Sequence, residues 1–272
     1  MALHFSITPE QLWRRTGTSD APLIVDVRRA EAVQASNGLL PAAVLRNAQH
    51  AASWTIAPHS GTIVVACRHG HGRSQMAAAH LRARGFDARV LEGGYDAWQA
   101  AGLPLVDRAA VRRLAPNPPS LWVTRRRPKI DRIACPWLIR RFIDVQARFL
   151  FVDPPQVTEV ARESGATPFD IEGVELSHEG ERCSFDTLLR VFALESDPSL
   201  ARLALIVRGA DTARPDFAPE AAGLHAVSLG LSVLAGDDDH GLLQRGFAVY
   251  DALFAWLRFA SSERHNWPAR AA

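Results

Sequence analysis

Short apolar runs alternate with amphipathic stretches through the first hundred residues. Leu23-Ile24-Val25-Asp26-Val27 and Thr62-Ile63-Val64-Val65-Ala66 have the length and branched content of buried strands, and Ala88-Arg89-Val90-Leu91 reads as a third. Helical patterns fall between them over 8–15, 75–84 and 95–101. Strands that are short continuous apolar runs, each followed by a helix, predict an α/β unit with a parallel sheet flanked by helices. Gly102-Leu103-Pro104 closes it.

The pattern then changes. Residues 108–120 carry Arg108, Arg112 and Arg113 and then Pro116-Asn117-Pro118-Pro119, which predicts a Pro/Arg-rich linker between a first domain at 1–107 and a second at 121–272. The second domain is expected to be mostly helical with a few short strands. Strands are predicted at 121–124 and 149–152. Helices are predicted from Cys135-Pro136 to Ile143, with the proline near the first position, from a Ser184 cap through Leu189 and Phe192, and over 198–207 and 219–234. Leu243, Phe247, Tyr250, Phe254 and Leu257 then recur at steps of four and three, the stripe of a core-facing helix, with Asp237-Asp238-Asp239 at its start.

Composition narrows the function classes. The 272 residues are 47% hydrophobic and 22% charged, as in a soluble globular protein, and a net charge of +2 is too mild to suggest nucleic-acid or membrane partners. No apolar run approaches the length of a membrane span, and residues 1–10 lack the basic and apolar regions of a secretory signal. Three well-separated cysteines, Cys67, Cys135 and Cys183, form no disulfide framework, so a reducing, cytoplasmic setting is expected.

The chemistry concentrates where the second long strand ends. Cys67-Arg68-His69-Gly70-His71-Gly72-Arg73-Ser74 leads from strand to helix. Backbone N–H groups and the positive end of a helix converge at such a turn, favouring a thiolate and any anion held against it. Cys67 is therefore the expected nucleophile. Arg68, His69, Gly70, His71, Gly72 and Arg73 are the expected anion cradle. The paired histidines either line that pocket or bind a soft or borderline metal.

Asp26-Val27-Arg28, the Cys67 loop and Leu91-Glu92-Gly93-Gly94-Tyr95-Asp96-Ala97-Trp98 resemble, in that order, the motifs of the rhodanese family. The resemblance covers about residues 5–106 and implies sulfur transfer: Cys67 takes a sulfane sulfur from a small oxyanion donor such as thiosulfate, carries it as a persulfide and yields it to a thiol or other thiophilic acceptor, with no cofactor required. Asp26 and Arg28 are expected to support the loop as a buried charge pair. The spacing from Cys67 to Arg73 is one residue longer than the commonest C-x-x-x-x-R pattern of these sulfurtransferases. It is similar to the rhodanese-fold phosphatases and arsenate reductases, although Ala66 stands where the phosphatases place a histidine. Oxyanion reduction or phosphate hydrolysis thus stays an alternative to sulfur transfer.

The segment from Trp122-Val123-Thr124-Arg125-Arg126-Arg127-Pro128-Lys129-Ile130-Asp131-Arg132 to Phe142, with Ser177 to Asp186 and Ala210-Asp211, resembles the C-terminal domain of the chromate-resistance (ChrB) family over about 121–260. That resemblance implies a place in chromate, oxyanion or sulfur stress, or alternatively an oxyanion sensor in which Cys67 responds by redox change. His178, Glu181, Asp211 and His240 are a candidate site for a divalent metal, zinc or iron; the same residues also fit turns and helix caps. The basic run from Arg125 to Arg141 is either a solvated face or an oxyanion patch. Cys135 reads as core, and Cys183, in a polar stretch, as a possible second sulfur acceptor.

Overall fold

The computed structural model describes residues 5–36, 38–56 and 61–263; the outer ends of both expected domains, 1–4 and 264–272, lie outside the described residues. The chain runs β1 (Ser6–Ile7), α1 (Pro9–Arg15), β2 (Leu23–Asp26), α2 (Ala30–Gln34), β3 (Gly38–Leu39), β4 (Val44–Leu45), β5 (Ile63–Ala66), α3 (Arg73–Ala83), β6 (Ala88–Leu91), α4 (Gly94–Ala100) and β7 (Val106–Asp107). The apolar runs form the centre of a parallel five-stranded sheet ordered β1-β6-β5-β2-β4. Thr8 starts α1 with a capping box to Gln11. Helix α3 buries Ser74, Ala77, Ala78 and Leu81, and small side chains along this face let it lie close to the sheet.

The segment expected as a linker opens with a helix, α5 (Arg108–Leu114). The prolines all follow it, so they end this helix rather than prevent it. Asp107 caps it through Ala110 N at 2.6 Å, and Ala110 and Leu114 are buried.

The second half contains β8 (Leu121–Arg125), α6 (Asp131–Leu138), β9 (Arg148–Val152), α7 (Val157–Ser164), β10 (Thr167–Pro168), α8 (Ser184–Val191), α9 (Pro198–Asp211), α10 (Ala221–Ala235) and α11 (Asp239–Phe259). Its strands form a parallel sheet ordered β10-β8-β9. Side-chain alternation divides β8: Trp122 joins the main core with Phe169 and Phe192, while Val123 packs on the other face with Val157 and Ala166.

Two local expectations are corrected. Helix α6 begins at Asp131, so Pro136 lies inside it; the chain then widens into a π turn over Ile139–Ile143, closed by Asp144 N to Ile139 O. Ser184 does not cap α8. Cys183 holds that position, and Ser184 is the first helical residue, its hydroxyl donating to Asp170 Oδ1 at 2.8 Å.

The halves share one apolar cluster. Trp13 of α1 meets Phe142 at 6.1 Å between ring centroids. Arg258 of α11 stacks on the Trp13 ring and donates to the Trp13 and Thr16 carbonyls at 2.7 and 2.9 Å. Trp137 lies within 6.4 Å of Phe142, Phe185, Tyr250 and Phe254. A continuous core means that the two halves are packed against each other rather than only tethered. Among the described residues no helix is long and apolar enough to cross a membrane.

Candidate functional site

Cys67 follows β5 directly and stands at the carboxyl end of the central strand, only 6% exposed. Its Sγ lies 3.1 Å from Ser74 Oγ and 3.2 Å from the His71 carbonyl oxygen. Burial pushes the thiol's pKa up, but the Ser74 hydroxyl and the backbone N–H groups of Ser74, His69 and His71 together lower it below the ordinary thiol value. Ser74 Oγ is also 3.2 Å from the His71 carbonyl. The serine hydrogen can therefore turn from that carbonyl to sulfur when the thiolate forms.

The loop keeps this shape because it lies flush on the turn between β6 and α4. Tyr95 N and Asp96 N donate to the carbonyls of Cys67 and Arg68 at 2.9 and 3.0 Å. A Cβ on Gly94 would stand 2.3 Å from the Cys67 carbonyl oxygen, and one on Gly70 would stand 2.7 Å from the Leu91 carbonyl oxygen; both glycines have positive φ. The Gly93-Gly94 pair is thus the seat of the cysteine loop.

Beneath the loop Arg28 Nε and the backbone Arg28 N donate to the two Asp26 oxygens at 2.8 and 3.0 Å. The guanidinium lies 3.7 Å from the centre of the Tyr95 ring, and both charged side chains are buried. Arg73 Nε donates to the Val27 carbonyl at 3.0 Å, tying the start of α3 to the end of β2. Arg68 and His69 approach one carboxylate oxygen of Asp96 at 3.1 and 3.2 Å, where all three are exposed. The side-chain charge at the rim is partly neutralised, so the groups that favour the thiolate are the Ser74 hydroxyl first and then the backbone amides of Ser74, His69 and His71. A pocket of about 340 Å³ lined by Arg28, Arg68, Tyr95 and Asp96 opens beside the loop.

A second polar cluster lies in the other half, and its membership differs from the expected set. His178 Nε2 stands 3.2 Å from Asp131 Oδ2, 3.4 Å from Asp170 Oδ1 and 3.3 Å from Asp211 Oδ2. Of the four expected metal ligands, the fold brings together His178 and Asp211. Glu181 is 79% exposed and faces Arg214 at 3.8 Å. His240 packs edge-on against Phe151, 5.5 Å between centroids. Neither joins the cluster, because the turn at 179–182 directs Glu181 outward and the first turn of α11 lies against β9.

Asp131 and Asp170 were not foreseen. Asp131 is the first residue of α6 and Asp170 follows β10, both nearly fully buried. Hydrogen bonds to Asp131, Asp170 and Asp211 drive the His178 pKa far above its ordinary value, and burial pushes that of Asp131 up. The backbone is unusual here: Ile130 has φ 42° and Asp170 φ 53°. A β-branched residue at positive φ is strained, and Tyr250 holds it by donating to the Ile130 carbonyl at 2.6 Å. The legible signal was acidic residues at the ends of β8–α6 and β10, where ligands gather in parallel sheets.

Four arginines of the basic run are paired with carboxylates. Arg125 and Arg132 contact Asp170 Oδ2 at 2.7 and 3.2 Å, Arg126 contacts Asp153 at 2.6 Å, and Arg141 contacts Asp251 at 2.7 Å. Cys183 is buried and, like Cys135, has its pKa driven well above normal, first by burial and then by neighbouring carboxylates. It is therefore not an accessible sulfur acceptor in this conformation.

Comparison with known proteins gives both halves a family. The model of the ChrB C-terminal domain matches residues 122–257, and that of the rhodanese-like domain matches 8–101. The chain is 33% identical over 204 residues to Protein ChrB of Cupriavidus metallidurans, covering 70% of this chain and 59% of that one. It is 35% identical over 100 residues to Thiosulfate sulfurtransferase GlpE of Actinobacillus succinogenes, covering 36% of this chain and 87% of that one. Among solved structures, a rhodanese-related protein from Thermoplasma volcanium is 25% identical, with 38% of this chain and 98% of that one covered and a TM-score of 0.33. A rhodanese homologue from Thermus thermophilus is 30% identical, with 33% and 95% covered and a TM-score of 0.27.

Proposed function

Because the chain belongs to the ChrB family by its C-terminal domain and carries a rhodanese-like domain before it, we propose that it is a sulfurtransferase working through a Cys67 persulfide. The observation that carries this reading is the convergence of three backbone N–H groups and the Ser74 hydroxyl on one sulfur. Those donors stabilise a thiolate, and they serve a persulfide anion equally well without a separate base.

The sequence of steps balances with thiosulfate as donor. The Cys67 thiolate attacks the outer sulfur, the sulfur–sulfur bond of the donor breaks, and its electron pair leaves with sulfite. A thiophile then attacks the outer sulfur of the Cys67 persulfide, and the Cys67 thiolate is restored. Cyanide as acceptor yields thiocyanate. The amides of His69, His71 and Ser74 hold the negative charge throughout, while the Asp26–Arg28 pair and the Gly93-Gly94 seat keep the loop in place. Donor and acceptor classes are small: a sulfane-sulfur oxyanion and a thiol. The ChrB domain supports a role for this chemistry in chromate, oxyanion or sulfur stress.

Full-length protein incubated with thiosulfate and cyanide should form thiocyanate, and its intact mass after thiosulfate alone should rise by one sulfur atom. Cys67→Ser should show neither. Thiocyanate turnover that survives Cys67→Ser would remove this cysteine from the reaction. Hydrolysis of an aryl phosphate without thiocyanate formation would assign the longer loop to phosphate chemistry instead.

A further inference from the structure

We propose that Asp131, Asp170 and His178, with Asp211 beside them, form a binding site for one divalent first-row cation: zinc, iron(II) or manganese. Asp131, Asp170 and His178 each offer one donor atom, and the three atoms all lie within 4.8 Å of one another. Asp211 Oδ2 is 3.3 Å from the same imidazole nitrogen. Carboxylates mixed with one imidazole suit borderline divalent ions rather than calcium or a thiolate-seeking metal.

Charge supports the same assignment. Three carboxylates meet two guanidiniums, Arg125 and Arg132, both directed at Asp170 Oδ2. With a neutral imidazole the pocket holds an excess of negative charge, and a buried carboxylate needs a cation or a proton. His178 Nε2 stands among the oxygens as such a cation when protonated; a metal ion seated there takes the proton's place. Asp170 is oriented for the task. Its Oδ2 belongs to the arginines, and its Oδ1 faces His178 and accepts from Ser184 at 2.8 Å, the kind of supporting contact that fixes a ligating carboxylate.

An independent observation comes from β8. Thr124 is fully buried, and its Oγ1 has no hydrogen-bond partner. By strand alternation it leaves β8 on the Trp122 face, where Phe192 at the end of α8 packs, and it stands next to Arg125, which meets Asp170. A water carried by a bound ion would offer that hydroxyl the partner it lacks. The wall formed by Asp131 and Asp170 is closed, whereas the His178 side chain is 42% exposed, so three protein donors face an open side where an exchangeable ligand can enter.

This inference is independent of sulfur transfer, and the test keeps the two apart. Untagged full-length Cys67→Ser protein, which lacks the loop thiolate, is stripped with a chelator and titrated separately with zinc and manganese. Bound metal is measured by elemental analysis after desalting, and Tm is measured with and without metal. The expected result is about one equivalent for at least one of the two ions and a Tm higher by several degrees. Both effects should be lost in His178→Ala and in Asp211→Asn, whose side chains are less buried than those of Asp131 and Asp170, and kept in Glu181→Gln and His240→Ala. Asp131→Asn should also lose the metal, but the conclusion does not require that buried variant to fold. Less than a tenth of an equivalent with an unchanged Tm for both ions, or full retention in His178→Ala, overturns the proposal.

Discussion

The two polar sites of this molecule are built in opposite ways. The Cys67 cradle comes from one continuous stretch, and its positive character is supplied by the Ser74 hydroxyl and backbone amides. The His178 cluster draws one side chain each from the start of α6, the end of β10, a loop and the end of α9, and its character is set by carboxylates. The first stabilises negative charge and lowers a thiol pKa. In the second half, burial and negative neighbours raise the pKa of both thiols. Cysteine reactivity therefore follows both from which polar groups face the sulfur and from access: all three cysteines are buried, but Cys67 keeps 6% exposure whereas Cys135 and Cys183 keep none.

The largest effect that would sharpen this contrast is selective alkylation. Under native conditions iodoacetamide should modify Cys67 at least about a thousandfold faster than Cys135 or Cys183, which become accessible only through opening of a stable core. Peptide mapping at successive times measures it, and comparable rates at the three positions would break the comparison. The pH dependence has a definite sign. The Cys67 pKa lies below its unfolded value of 9.0, so its alkylation should reach a plateau at lower pH than in the unfolded chain. Stability contributed by the held thiolate is present above the unfolded pKa and is lost as pH falls through the folded one.

Next in size is the balanced ion pair under the cradle. Asp26→Ala leaves a buried guanidinium without its carboxylate and should cost about 3–5 kcal/mol, read by urea denaturation. A loss under 1 kcal/mol would mean that the loop does not depend on that pair. Gly94→Ala adds a Cβ against the Cys67 carbonyl at a backbone conformation that disfavours it. About 2–3 kcal/mol of destabilisation is expected, with a matching drop in Tm. The smallest effect belongs to Ser74→Ala, which removes the leading stabilising hydrogen bond to sulfur. The Cys67 pKa should rise, and alkylation at neutral pH should slow roughly three- to tenfold. An unchanged rate would assign the thiolate to the amides alone.

Much of the first half was legible in its residues. The runs at 23–27, 62–66 and 88–91 became β2, β5 and β6 because continuous apolar segments can be buried only in a covered parallel sheet. The helical pattern over 8–15 became α1, Pro9–Arg15, with Thr8 as its cap. The second half was legible in its long helices and not in its local detail. Pro136 marked a helix start in the sequence, yet the helix begins five residues earlier, at a strained Ile130 held by a tyrosine 120 residues away. Short α5 and α7 carry too few apolar positions to reveal a period, and packing against the core decides them.

The sequence by itself determined the main strands of the first half, the long helices of the second, both family resemblances and the cysteine loop, because each depends on neighbours along the chain: a strand that ends, glycines that free amides, a helix that begins. Tertiary structure alone decided that the halves share a core, that Arg125 and Arg132 turn to Asp170, and that Asp131 and Asp170 rather than Glu181 and His240 surround His178. Those outcomes depend on distances between segments far apart in the chain, set when helices and strands bury their apolar faces together, and no spacing of residues encodes them directly.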